Sequence, residues 1–262
     1  PMNSTSSALA ADSVPWRQDA SLVALVGLAH MVSHFSQLLL PPLFPWLKDA
    51  FAVSYAQLGF ALTVFFVVSC AVQAGAGFLV DRWGPRPVLY AGLACIALAC
   101  AGYALSPSYA WLVFFAGVAG IGNGVFHPVD YSLLNHKVST PRLGMAYSAH
   151  GLTGTLGWAV APVLMTAVAL AHSWQAALLT AGGVALAVLA VLLLHHDRLA
   201  MARIPVARKE EGGSMAFLRS SAVWMCFLFF FMFSMVLGVI QTFAPTASGK
   251  LHGVDVATVA LC

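Results

Sequence analysis

Apolar stretches of similar length follow one another along the chain and are separated by short polar segments. When the sequence is cut at charged residues, Pro and Gly, the apolar segments hold about 20 or more residues, the length that crosses about 30 Å of hydrocarbon. We predict seven membrane spans, at 20–44, 56–80, 87–105, 109–134, 143–171, 174–196 and 222–246, followed by an apolar run that starts near residue 254. The pattern therefore predicts an all-α, polytopic membrane protein.

Composition excludes the main soluble classes. Of the 262 residues, 60% are hydrophobic and 8% are charged, whereas about 25% are charged in an ordinary soluble protein. The net charge of +3 is small and scattered along the chain, so nucleic acid is not an expected partner. The five cysteines form no CxxC pair and are interpreted as small buried hydrophobes. We expect a lipid bilayer around the chain, no cofactor and no metal site.

The distribution of Lys and Arg predicts the orientation in the membrane. If the N-terminus is cytoplasmic, the inside segments hold ten of the twelve basic residues, and the outside loops hold only Lys48 and Lys250. Because cytoplasmic loops of membrane proteins are enriched in Lys and Arg, we predict a cytoplasmic N-terminus.

One connection between spans is much longer than the others. Residues 197–221 hold eight charged residues and the Glu210-Glu211-Gly212-Gly213 stretch, which is typical of a flexible linker. The predicted organisation is a cytoplasmic tail at 1–19, a six-helix transmembrane bundle at 20–196, a cytoplasmic linker at 197–221, and the first part of a second bundle at 222–262. Because half a span leaves backbone groups unpaired in lipid, we expect the natural polypeptide to continue.

The connection between the second and third spans carries a distinctive motif, Gly77-Phe78-Leu79-Val80-Asp81-Arg82-Trp83-Gly84-Pro85-Arg86. One interpretation is an ordinary positively charged loop. The order of residues, however, resembles the signature of the major facilitator superfamily, G-x-L-A-D-R-x-G-R-R/K. The matching positions are Gly77, Leu79, Asp81, Arg82, Gly84 and Arg86, and the sequence departs from the signature at Val80 and Pro85.

This resemblance implies an architecture and a role for the motif. The family has two six-helix halves, so the chain would supply the N-terminal half, span seven and the start of span eight. In the family, the acidic and basic residues of the motif form a charge relay that stabilises the outward-open state. The gating residues implied here are Gly77, Asp81, Arg82, Gly84 and Arg86. The resemblance further implies a transporter rather than an enzyme, located in a bacterial inner membrane and monomeric when complete.

Two shorter segments narrow the resemblance. Ser33-His34-Phe35 in span one and Val125-Phe126-His127-Pro128 in span four resemble the fosmidomycin-resistance-type exporters, whose span-four segment reads F-H-P-E. Here Val129 occupies the position of that Glu, and Asp130 follows one place later. Part of the family's antiporter signature survives in span five, as Gly157-Trp158-Ala159-Val160-Ala161-Pro162.

Polar residues within the spans are candidates for function, because ionisable side chains are costly in hydrocarbon. Span one carries His30, His34 and Gln37, and span four carries Asn123, His127 and Asp130, both with spacing i, i+4, i+7, which places each set on one helical face. These spans begin the two inverted three-helix repeats of the family, so we expect a shared cavity between them. The helical rise predicts two layers, a central one with His30 and His34 and a cytoplasmic one with His127, Asp130 and His150.

We therefore predict a secondary active transporter that moves a small polar or weakly anionic organic solute by alternating access, coupled to protons. Histidine titrates near neutral pH and responds to a neighbouring carboxylate. The predicted solute-binding residues are His30, His34, Gln37, Gln73 and Asn123, and the predicted proton-coupling residues are His127, Asp130 and His150. Two alternatives stay open: a membrane enzyme with a His-ligated metal or haem, because His30 and His34 share one face, and a membrane sensor that does not transport.

Overall fold

The computed structural model of the chain describes residues 15–201 and 219–259. The helices are α1 Trp16–Gln37, α2 Phe44–Phe51, α3 Tyr55–Trp83, α4 Pro85–Ala104, α5 Tyr109–Asn123, α6 Phe126–Lys137, α7 Leu143–Ala171, α8 Trp174–Leu194, α9 His196–Leu199, α10 Ser221–His252 and α11 Val256–Val259. Seven segments within the described residues are long and apolar enough to cross a membrane, which agrees with the seven predicted spans. Most of the predicted linker (202–218) and of the predicted tail (1–14) lies outside the described residues.

The first span is interrupted, although the sequence pattern predicts one helix over 20–44. A 3-10 turn at Pro41–Leu43 separates α1 from α2. Pro41 and Pro42 lack the backbone N–H that an α-helix requires, and the residue before a proline disfavours helical dihedral angles. The chain therefore leaves the helix after Gln37 and resumes it at Phe44.

The fourth span also consists of two helices, α5 and α6. Pro128 has no N–H to donate to the carbonyl of Gly124, so the helix is weakened at this position. The structure places the break at Gly124 and Val125, between the last hydrogen bonds of α5 and the first of α6. Asn123 thus ends one helix, whereas His127 and Asp130 belong to the next.

The first six spans pack in symmetric pairs. α1 packs along α7, α3 along α5, and α4 along α8, which pairs spans one with five, two with four, and three with six. α4 packs as extensively along α5, and the counterpart of that contact, between α1 and α8, is much smaller. Exchanging spans one, two and three with spans four, five and six maps these pairs onto one another. This is the arrangement of two three-helix repeats.

Glycines allow the paired helices to approach closely. A Cβ at Gly120 of α5 would lie 2.5 Å from the carbonyl oxygen of Phe65 in α3, and one at Gly124 would lie 2.6 Å from that of Ser69. Real Cβ atoms essentially never come so close to other atoms. The contact between α3 and α5 therefore depends on these small residues, as is typical of membrane helices.

Gly84 alone connects α3 to α4. Its φ of +83° lies in a region that favours glycine, and its N–H donates to the Val80 carbonyl at 2.8 Å. Pro85 then begins α4, where its fixed φ suits the first helical position. We call the end of the bundle that contains this turn the Gly84 end. There, Arg86 donates to the His196 carbonyl at 3.4 Å.

A buried carboxylate joins α1 to the start of α7 at the same end. Asp19 is buried, and its Oδ2 accepts hydrogen bonds from Arg142 Nη1 at 2.8 Å and from Ser139 Oγ at 2.6 Å. The sequence analysis assigns Asp19 to the tail 1–19, but α1 begins at Trp16, directly after the extended Pro15. Asp19 therefore lies in the first turn of a helix.

The seventh span is the least enclosed part of the described chain. α10 extends beyond the predicted 222–246, and none of its most apolar segment is buried. It meets the six-helix bundle at the end opposite Gly84, where Lys250 Nζ lies 4.7 Å above the ring of Tyr55. A cavity of about 280 Å³ lies at this junction and is lined by Pro41, Tyr55, Pro162 and Pro245, among others.

We predict that Asp19→Ala destabilises the bundle by about 2 kcal/mol, because it removes two hydrogen bonds to an ionised group. The exposed Asp49, paired with Lys48 at 3.6 Å, provides the matched control: Asp49→Ala should change the unfolding free energy by less than about 0.5 kcal/mol. Denaturant titrations of the purified proteins in detergent measure both values. Equal effects of the two substitutions would contradict a structural role for the Asp19 contact.

Candidate functional site

The centre of the site is the carboxylate of Asp130, which has no exposed surface. Its Oδ2 lies 3.1 Å from His30 Nδ1 and 3.0 Å from His150 Nε2. An ionised carboxylate only accepts hydrogen bonds, so when Asp130 is ionised both imidazoles donate to it. Asp130 Oδ1 is buried and has no hydrogen-bond partner among the described residues. One carboxylate oxygen thus joins α1, α6 and α7.

Four imidazole rings surround this contact, and we call them the histidine cluster: His30, His34, His127 and His150. The rings of His30 and His150 stack with centroids 3.5 Å apart. His34 lies 4.4 Å and His127 lies 5.1 Å from the ring of His30. His30 and His150 are buried, whereas His34 and His127 are half-buried. The cluster therefore has an accessible side, formed by His34 and His127.

This geometry corrects the predicted division into two layers. His30 was assigned to a central layer with His34, but it bonds to Asp130 and stacks on His150. The hydrogen-bonding partners of Asp130 are His30 and His150 rather than His127. Depth along a helix axis does not capture side-chain direction, and long side chains extend away from the height of their own Cα. The residues predicted for the two layers form one cluster.

Two glycines of α7 bring this helix against α1. A Cβ at Gly154 would lie 2.8 Å from His30 Nε2 and 2.9 Å from His34 Nδ1, and one at Gly157 would overlap the Met31 carbonyl. Without side chains at these two positions, the imidazoles of α1 lie directly against the backbone of α7. The compactness of the cluster therefore depends on Gly154 and Gly157.

Trp158 is a site residue that the sequence analysis missed. Its indole Nε1 donates to Gln37 Oε1 at 3.0 Å, and its ring centroid lies 4.3 Å from that of His34. The spacing could have revealed it: Trp158 follows Gly154 by four residues and His150 by eight, and these intervals place all three on one face of α7. His34, Gln37 and Trp158 line the accessible side of the site together.

Asn123 has a different environment from the one expected of a solute-binding residue. Its Nδ2 contacts the Ser33 carbonyl at 2.9 Å, Ser33 Oγ at 3.0 Å and Ser36 Oγ at 3.2 Å, while its Oδ1 accepts from Ser69 Oγ at 2.8 Å. Both polar atoms are thus occupied by neighbouring helices. The geometry favours Asn123 as a brace between α1, α3 and α5.

The remaining predicted residues lie apart from the cluster. Gln73, in α3, is exposed and has no hydrogen bond to the cluster within the described part of the chain. Of the gating residues, Gly77, Asp81 and Arg82 are exposed, whereas Gly84 and Arg86 are half-buried. Gly84 and Arg86 form the contacts described above at the Gly84 end.

The cluster also has the donors that a metal ion would need. His30, His127 and His150 each offer a ring nitrogen, and these three atoms lie within 4.8 Å of one another. The four free cysteines that the structure describes are not part of this group. Any ion bound here would therefore have imidazole ligands.

The profile of the Major Facilitator Superfamily matches residues 26–262, which is most of the chain. The chain belongs to this family. It is an integral membrane protein of a family of membrane transporters, as its spans and motif indicate.

Individual relatives agree with this assignment. The chain is 28% identical over 144 residues to the uncharacterized MFS-type transporter YfnC of Bacillus subtilis (strain 168), covering 55% of this chain and 35% of the relative. It is 26% identical over 159 residues to the fosmidomycin resistance protein of Escherichia coli (strain K12), covering 61% and 39%. The matched region thus spans well under half the length of these relatives.

The fold has solved counterparts. One is a bacterial homologue of the human lysosomal transporter Spinster, in an inward-facing and unoccupied conformation, with a TM-score of 0.73. The two share 14% identity, and the match covers 95% of this chain and 59% of that one. The all-α fold predicted from the sequence, with a six-helix bundle followed by span seven and the start of span eight, is confirmed.

We predict that Asn123→Ala lowers the unfolding free energy by about 2 kcal/mol, since interhelical hydrogen bonds in membranes average about 0.6 kcal/mol each and four contacts are lost. Asn135, which is exposed and accepts one hydrogen bond from Tyr147, serves as control; Asn135→Ala should cost about 0.6 kcal/mol or less. Unfolding titrations in detergent test both. A loss for Asn123→Ala no larger than that of the control would rule out the brace.

Proposed function

We propose that this chain forms part of a secondary active transporter that moves a small polar or weakly anionic organic solute by alternating access, and that a proton moves through the Asp130 contact. The observation that carries the proposal is the wholly buried carboxylate between two imidazoles. Membership of the family supports the proposal that the protein transports a solute. The carboxylate and the two imidazoles support the proposal that a proton is coupled to this transport.

The net charge of Asp130, His30 and His150 explains why binding of a proton is favourable here. With both imidazoles neutral, Asp130, His30 and His150 together carry a charge of −1; one added proton makes them neutral. A net charge in an apolar interior is costly unless it is compensated. Proton gain or loss therefore changes the electrostatic free energy of the packing between α1, α6 and α7, which links protonation to helix arrangement.

The accessible side of the cluster suits the solute. His34 and Gln37, with Trp158 beside them, offer an imidazole, an amide and an aromatic face. A protonated imidazole there would attract an anion, and deprotonation would release it. On this side, the ring of His127 lies 5.8 Å from that of the exposed Tyr131.

The comparisons support an organic solute without identifying it. The name of the Escherichia coli relative refers to resistance to fosmidomycin, so this compound belongs in the first panel of candidate solutes. Small carboxylates complete the panel, because the accessible side carries the imidazoles of His34 and His127, which can attract an anion when protonated.

We predict that Asp130→Asn abolishes accumulation of solute driven by a pH gradient while solute exchange without a gradient continues. Asparagine keeps the size of aspartate and one oxygen that can accept hydrogen bonds from the imidazoles, but it cannot bind the proton. Proteoliposomes that contain the intact protein, loaded with a pH-sensitive dye and supplied with the panel, measure solute accumulation and proton flux together.

Asp49→Asn is the matched control for this experiment, because it removes an exposed carboxylate at the opposite end of α1 and α2 from the Gly84 end. It should leave both fluxes within about twofold of the parent protein, as expected for an isolated surface charge. Normal pH-driven accumulation by Asp130→Asn would exclude the coupling role.

A second prediction concerns the gating motif. Asp81→Asn should lower the transport rate at least tenfold while changing stability by less than about 0.5 kcal/mol, because Asp81 is exposed in the last turn of α3 and exposed charges contribute little to folding. Asp197, an exposed acid at the same end, provides the control variant Asp197→Asn, which should transport normally. Unchanged transport by Asp81→Asn at equal expression would exclude a gating role for its charge.

A further inference from the structure

The histidine cluster holds more nitrogen donors than a single proton site requires. Three helices, α1, α6 and α7, each contribute one ring, and the ring nitrogens of His30, His127 and His150 lie within 4.8 Å of one another. His34 adds a fourth ring at 4.4 Å from that of His30. Such convergence of imidazoles from separate helices is unusual inside a membrane, where each polar side chain is costly.

Several of these polar atoms have no partner. His34 Nδ1, His127 Nδ1 and Asp130 Oδ1 are buried without a hydrogen bond within the described residues. Buried polar groups are ordinarily paired, and exceptions point to an ion, a water molecule or a functional role. Among the described residues, three of the four buried side-chain atoms without a partner therefore belong to the cluster or to the carboxylate at its centre, and the fourth is Asp19 Oδ1 at the Gly84 end.

Asp130 already stands in the position of an outer-shell carboxylate. Imidazoles that bind a metal usually donate their other ring N–H to a carboxylate, which fixes the tautomer and the ring orientation. Asp130 Oδ2 lies at hydrogen-bond distance from His30 Nδ1 and His150 Nε2. When both imidazoles are neutral and donate to this oxygen, His30 Nε2 and His150 Nδ1 carry the lone pairs that metal coordination requires.

We infer that the histidine cluster is a binding site for a divalent transition-metal ion of the zinc type, with His30, His127 and His150 as ligands and Asp130 orienting two of them. Imidazole ligands suit Zn²⁺, Co²⁺, Ni²⁺ and Cu²⁺, whereas Mg²⁺ and Ca²⁺ prefer oxygen. Three protein ligands leave a fourth coordination position for water or for a ligand that enters from the accessible side.

The rings need only small movements to reach an ion. Ligand nitrogens about 2.1 Å from a tetrahedral Zn²⁺ lie about 3.4 Å from one another. The three nitrogens, now within 4.8 Å of one another, must therefore approach by at most about 1.4 Å, the scale of side-chain rotation. Half-buried His127 has room for such a movement.

This inference does not rest on the transport proposal. A metal could occupy the cluster as cargo, as a regulator that blocks the proton site, or as a structural ion, and each requires the same ligands. Binding to purified protein is therefore the decisive property, and it is measured without any solute or pH gradient.

The test is titration of the purified full chain, freed of any histidine tag, with ZnCl₂ by calorimetry at pH 7.5, and with CoCl₂ by visible absorption. We expect one ion per chain with Kd below about 10 μM and a Co²⁺ spectrum typical of nitrogen ligands in tetrahedral geometry. His127→Ala should raise Kd at least tenfold. Asp130→Asn, which removes the outer-shell carboxylate, should raise it tenfold to a hundredfold.

His172→Ala is the matched control, because His172 is exposed at the junction of α7 and α8. The Kd of this variant for Zn²⁺ should equal that of the parent protein.

Circular dichroism and size-exclusion profiles identify any variant that does not fold. Substitution of the half-buried His127 should disturb the fold less than substitution of the buried His150. Absence of Zn²⁺ binding by the parent protein, or equal Kd values for parent and His127→Ala, would overturn the inference. A parent protein that does not bind Zn²⁺ but shows pH-driven transport would contradict only the metal site. A parent protein that binds Zn²⁺ but shows no pH-driven transport would contradict only the proton proposal.

Discussion

A single buried carboxylate sets the requirements that the rest of this site meets. Asp130 has no exposed surface, and an uncompensated charge at such a position would cost several kcal/mol or more. His30 and His150, which reach Asp130 from two other helices, lie at hydrogen-bond distance from its Oδ2 and lower this cost. The side chains that stabilise the carboxylate therefore also join α1, α6 and α7.

The contacts of Asp130 with His30 and His150 require the helices to approach one another closely. The imidazoles of α1 lie against the backbone of α7 only because Gly154 and Gly157 have no side chains. The break between α5 and α6 contributes as well: Asn123 fixes the end of α5 through four hydrogen-bonding contacts, whereas α6 begins anew and carries His127 and Asp130. A braced segment thus adjoins a segment whose polar atoms are incompletely paired.

The sequence predicted the spans well because hydrophobic length is a strong signal in lipid. It also located Asp130 and all four histidines, since ionisable residues within spans are rare. Hydropathy did not show the interruption after Gln37 or the helical position of Asp19, although Pro41 and Pro42 mark the interruption in the sequence. Nor could the sequence pair Asp130 with His30 rather than with His127, one turn away. That pairing depends on how α1 and α7 pack, which spacing along a single helix does not reveal.

The negative charge of Asp130 explains why the cluster could bind either a proton or a metal ion. With neutral imidazoles the site carries the charge of Asp130 alone, and either a proton or a divalent cation would compensate it. Metal binding requires neutral imidazoles and releases protons that the ligands hold, so the two occupants compete for the same nitrogen lone pairs. Acidic conditions would favour the protonated cluster, and neutral or alkaline conditions would favour the metal-bound one. Because the negative charge of Asp130 is costly inside an apolar bundle, the site favours any small cation that an imidazole nitrogen can bind.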